Sequence, residues 1–119
     1  MHITTLTELI ENKMKQLGKG RAELSRRANE KATSLGEYEK KIGITTMQLR
    51  NGVTMNLEGI EIVNPPATSI DKIARGICYK EKITAELREA EYKNAIVGMS
   101  ALQAELSALQ SIFRYQETT

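Results

Sequence analysis

Apolar residues return at heptad intervals over the first fifty positions. One line runs through Met14, Arg21, Ala28, Leu35, Ile42 and Leu49, and a second through Ile10, Leu17, Leu24, Lys31, Tyr38 and Thr45; nine of these twelve positions are apolar. A seven-residue repeat held this long predicts a helix that lays one stripe against a neighbouring helix. Gly18, Gly20, Gly36 and Gly43 oppose it, since each glycine inside a helix costs about 1 kcal/mol relative to alanine. The phase nonetheless runs from Leu17 to Leu24 and Ala28 without a shift, which predicts one helix over about residues 4–50, with Gly18 the place where it would bend.

Asn51-Gly52 closes that segment, as a helix C-cap with a left-handed glycine or as a hairpin turn, and the preceding seam favours the cap. Two short extended runs follow, Val53 to Leu57 and Ile60 to Val63, on either side of Glu58-Gly59. They predict a small hairpin over 53–63 within a connection spanning 51–68. A lone hairpin is marginal in water, so this one needs to dock on the helices or on a second copy. Asn64-Pro65-Pro66 stops it, and Thr68 or Ser69 is a candidate N-cap for a second helix over about 69–115.

The last third of the second helix repeats Ser100-Ala101-Leu102-Gln103 as Ser107-Ala108-Leu109-Gln110, one heptad apart. Its seam is Ala95, Met99, Leu102, Leu106, Leu109 and Phe113, whereas Cys78 to Arg88 is less regular and richer in charge. The expected fold is therefore mostly α: a single domain of two long antiparallel coiled-coil helices, each roughly 65 Å long at 1.5 Å per residue, joined by a short β-hairpin or loop and elongated. Such a pair buries one stripe per helix, which is little to set against the conformational entropy of 119 residues. Assembly into a homo-oligomer is the expected remedy, with Leu17, Leu24, Leu35, Ile42, Leu49, Met99, Leu102, Leu106, Leu109 and Phe113 as the candidate seam.

Composition sharpens this picture in one respect: with one Phe, four Tyr and no Trp, the chain lacks the large rings that fill round cores. Cys78 is the single cysteine and no stretch has the length of a signal peptide or membrane span, which points to a cytoplasmic site and to no membrane partner. The net charge of +2 hides an asymmetry. Residues 1–52 hold ten Lys or Arg against six Glu, while residues 53–119 hold seven against nine acids.

Catalytic chemistry finds few residues to work with. The only histidine is His2, so a nucleophile activated by an internal histidine is excluded, and the protein reads as non-enzymatic with no cofactor. Glu86 and Glu89 share a helical face but read as solvated side chains, which leaves no metal site. Gly18-Lys19-Gly20 lacks the spacing and the following Ser or Thr of a phosphate-binding loop. The densest basic stretch is Lys13, Lys15, Lys19, Arg21, Arg26, Arg27 and Lys31, of which Lys15, Lys19, Arg26 and Arg27 are the candidate contacts to nucleic-acid phosphates.

Glu91-Tyr92-Lys93 and the run from Glu105 to Tyr115 resemble the tails of small helical proteins encoded by bacteriophages and prophages. The layout of long helix, glycine-containing connection and second long helix is similar to that of the UvsY-type recombination mediators of T-even phages. That resemblance implies a helical homo-oligomer that binds single-stranded DNA and helps load a recombinase. The hairpin and the shortage of aromatics depart from it. Two other functions fit the same layout: a phage anti-defence inhibitor that binds a host defence protein or sequesters a nucleotide signal through Arg50, Asn51 and Lys72, and a structural coiled-coil adaptor.

Overall fold

The computed structural model describes residues 2–118, the side chain of Thr118 excepted. Helix α1 runs from Ile3 to Arg50 without interruption, through all four of its glycines. It ends in a Schellman motif: Val53 N–H donates to the Gln48 carbonyl (2.9 Å), Gly52 N–H to the Leu49 carbonyl (3.2 Å), and Gly52 takes φ +78°. The cap reading of Asn51-Gly52 thus holds.

Strands β1 (Met55–Leu57) and β2 (Ile60–Ile62) pair antiparallel, with Met55 opposite Ile62 and Leu57 opposite Ile60. Glu58 (φ 50°) and Gly59 (φ 83°) form the two-residue turn between them. Positive φ at both positions is the type I′ geometry that matches strand twist, and the Gly59 N–H is held by the Asn56 side-chain oxygen (2.9 Å). The predicted hairpin is present, shorter at both ends.

The second long helix is not continuous. A 3-10 turn at Ala67–Ser69 leads into α2 (Ile70–Ile77), Cys78 leaves helical geometry at φ −91°, ψ 19°, and α3 runs from Tyr79 to Thr118. The break separates two packing tasks. Helix α2 turns Ile70 and Ala74 onto Leu49, with Met55, Ile62, Ile73 and Ile77 packed around them, whereas α3 packs along α1. Cys78 is fully buried at the junction, its Sγ 3.7 Å from the Thr45 hydroxyl. Ser69 precedes α2 but its side chain caps nothing; the Ser69 N–H instead donates to the Pro66 carbonyl (2.9 Å) in the preceding turn.

The chain divides into two compact units. Unit 1 joins α1 up to Asn29 with α3 from Ala90 onward, and unit 2 holds residues 30–89, including the hairpin and α2. Within unit 1 the two helices run antiparallel, with Lys13 paired to Glu105, Arg27 to Glu91, and Gly20 set against Met99. Within unit 2 the hairpin docks on its own helices, as a hairpin without a partner strand requires, and Lys41 pairs with Glu81. No described helix is long and apolar enough to cross a membrane.

One of the two heptad lines read from α1 is covered along its whole length and the other only in part. Ile10, Leu17, Leu24, Lys31, Tyr38 and Thr45 are all buried or half-buried. Their companions are not the set beginning at Met14. Met14 is 57% and Leu35 45% exposed, Arg21 is exposed, and only Ala28, Ile42 and Leu49 of that set are covered. The inward companions in unit 1 are Leu6, Lys13, Gly20 and Arg27, four residues before each member of the first line. Two cations and a glycine among those four hide the line from any count of apolar residues.

Candidate nucleic-acid interface

Helix α1 in unit 1 carries its cations on two different sides, and the difference follows from helical phase. At about 100° per residue, Lys15, Lys19 and Arg26 fall within an arc of about 40°, while Leu17 and Leu24 lie roughly opposite, and the arc extends about 16 Å along the axis. All three cations are exposed, and among the described residues neither Lys15 nor Lys19 takes part in an ion pair. Ala22 and Ser25 beside them are exposed and uncharged, so nothing shields the stripe from solvent.

Arg26 and Arg27 are sequence neighbours with different surroundings. Arg26 remains half exposed and donates twice to Glu23, from Nε (3.1 Å) and from Nη2. Arg27 is turned toward α3: its Nε donates to Glu23 (2.8 Å) and its Nη1 to Glu91. The Arg26 hydrogen bond, reinforced by Arg27, holds the Glu23 carboxyl below its ordinary pKa, so it stays ionised and partly neutralises both guanidiniums at neutral pH. Of the four candidate contacts, then, Lys15, Lys19 and Arg26 share a face and Arg27 belongs to the packing between the helices. Lys13 is likewise taken up by Glu105, and Arg21 stands apart, about 120° from Lys15 around the helix axis.

The candidate oligomer seam sits largely inside the chain. Leu17 and Met99 are buried and Leu24, Leu102, Leu106, Leu109 and Phe113 half-buried in unit 1, as are Leu49 and Ile42 respectively in unit 2; Leu35 alone is exposed. Other apolar side chains face outward. On α3, Val97 is 67% and Ile112 43% exposed, with Ala101, Ala104 and Ala108 exposed between them. Among residues 95–113 the single charged side chain is Glu105.

Unit 2 offers a different surface. Arg50, Asn51 and Lys72 are exposed. A groove of about 220 Å³ is lined by Leu35, Tyr38 and Ala85 with Lys31, Lys82, Glu86 and Glu89 around it. Glu86 and Glu89 therefore share this groove with two lysines, and among the described residues no group of three or more His, Cys, Asp or Glu converges as a metal site. No family model, curated protein or solved structure matches the chain, so its surfaces are interpreted from their own geometry and charge.

Proposed function

We propose that this is a non-enzymatic accessory protein that self-associates and holds a nucleic-acid backbone with the outward face of α1. The observation that carries the proposal is the line of exposed cations Lys15, Lys19 and Arg26, opposite the side that packs on α3, with Arg26 paired to Glu23. Such a face offers point charges and no shaped pocket. It therefore attracts phosphates without regard to sequence, with an affinity that falls as salt rises. A setting in phage recombination, as the likeness to the UvsY-type mediators implies, is compatible with that property.

Three cations make a weak site alone, and repetition of the face in an assembly would multiply its hold. A second copy covering the uncharged outward side of α3 supplies the repetition. That side has apolar residues where a surface helix normally carries charge.

Fluorescence anisotropy with a short labelled oligonucleotide tests the backbone-binding face. Lys15→Glu with Lys19→Glu is expected to weaken binding at least tenfold at about 50 mM salt and to reduce the steepness of its salt dependence by about 1.5 to 2. Glu23→Gln, which removes the carboxylate charge paired with Arg26, is expected to tighten binding roughly two- to threefold. Lys72→Glu, an equally exposed lysine in unit 2, serves as the control. Wild-type protein that ignores the oligonucleotide, or a double variant that binds as well as wild type, overturns the proposal.

A further inference from the structure

We infer that the backbone held by α1 is that of a duplex, in preference to a single strand; the inference rests on the nucleic-acid reading of the Lys15, Lys19 and Arg26 face. Proteins that bind single strands combine a basic groove with aromatic side chains on which bases stack. Neither part is present on this face. No aromatic residue occurs in α1 before Tyr38, which is buried. The aromatics of unit 1 are all on α3: Tyr92 and Phe113 are half-buried, and Tyr115, 70% exposed, falls on the outward side of α3 with Val97 and Ala101. An unpaired base at Lys15 or Lys19 would therefore have no ring to lie against, and a single strand would be held by its phosphates alone.

For phosphates alone, charge density decides. A duplex carries one charge per about 1.7 Å of axis, so the roughly 16 Å between Lys15 and Arg26 faces about nine of them, about twice the number on either strand. Each phosphate neutralised also releases more condensed counterion from a duplex, about 0.9 against about 0.7 for a single strand. Shape points the same way. The stripe is the crest of a convex helix about 10–12 Å across, with Ala22 and Ser25 leaving its flank low, and a convex rigid face suits the stiff backbone of a duplex. A crest cannot wrap a flexible strand.

The test uses the full chain against a labelled duplex of about 20 base pairs, and against oligo-dT of the same length, which forms no internal pairs, over about 20 to 200 mM salt. The duplex is expected to bind at least fivefold more tightly at about 50 mM, with the logarithm of its affinity falling by about 2 to 3 per logarithmic unit of salt. Lys15→Glu with Lys19→Glu is expected to erase the preference along with the binding. Equal or tighter binding of oligo-dT overturns the duplex inference and leaves the backbone-binding face standing. Failure of both ligands to bind overturns the face itself, and the inference with it.

Discussion

At the scale of single residues, glycines that look alike in the sequence differ sharply in their surroundings. A Cβ at Gly18 would meet nothing within 4 Å, whereas one at Gly20 would overlap the Met99 Sδ. Gly18→Ala should therefore raise stability by about 0.5–1 kcal/mol through helix propensity alone. Gly20→Ala has the same propensity gain but must displace a buried methionine, and its net effect is expected to be neutral or destabilising unless combined with Met99→Ala. Thermal melts of the three variants check this; an equal gain at both glycines would mean that Met99 does not press on Gly20.

The pair of Lys41 and Glu81 makes a second residue-scale prediction, in pH. The hydrogen bond from Lys41 lowers the pKa of Glu81, and the same bond raises that of Lys41. A carboxyl depressed on folding contributes stability above its unfolded pKa, and that contribution is lost as pH falls through the folded value. A raised lysine contributes below its unfolded pKa and loses it as pH climbs through the folded value. Both groups are partly exposed, so the effect is modest. Glu81→Gln is expected to flatten the acid side of the profile of melting temperature against pH, below about pH 5. A drop as steep as that of wild type would remove this pair from the acid response.

At the scale of elements, two residues a few positions apart on α1 should behave oppositely. Leu17 is 4% exposed against α3, and its truncation to alanine should cost about 2–4 kcal/mol through lost burial and a residual cavity. Met14, 57% exposed, should change stability by less than about 0.5 kcal/mol on the same substitution. Denaturant unfolding of the two variants measures both, and comparable losses would put Met14 on the buried side of α1. The long helices, the hairpin around Glu58-Gly59 and the cap at Gly52 were legible because period, turn residues and capping glycine each carry a local signal. The second inward line of α1 was not, since Lys13, Gly20 and Arg27 look like surface or breaker residues until Glu105, Met99 and Glu91 are seen opposite them. The interruption at Cys78 was equally silent, because it follows from a change of packing partner and from no proline or turn sequence. The candidate face was half legible: the basic stretch was evident, while the separation of Arg26 from Arg27 required knowing which side of α1 meets α3.

At the scale of the molecule, charge is unequally held. Unit 1 has eight Lys or Arg against six Glu, and unit 2 nine against nine acids, so the excess of +2 lies in the unit that presents the candidate face. Unit 1 also bears the uncharged outward side of α3 on which self-association is proposed. Val97→Glu with Ala104→Glu would place carboxylates at the centre of that side without touching the seam within the chain. Far-UV helicity should be unchanged, and the solution mass by light scattering should fall from that of an assembly to that of one chain. A wild-type mass of one chain, or a variant that still assembles, would rule out this side as the contact.

The cross-helix pairs of unit 1 also constrain how the chain can change in length. Lys13 and Arg27 are separated by two heptads, as are their partners Glu105 and Glu91, and Gly20 and Met99 sit near the midpoint of each interval. Removing one residue between Lys13 and Arg27 rotates everything beyond it by about 100° relative to Lys13, so that Arg27 can no longer face Glu91 while Lys13 faces Glu105. Removing seven keeps the face but leaves a glutamate or a cation unanswered, unless seven are also lost between Glu91 and Glu105. Insertions and deletions in these two stretches are therefore tolerated only as matched heptads on both helices, and lineages of this protein should lengthen or shorten α1 and α3 together or not at all.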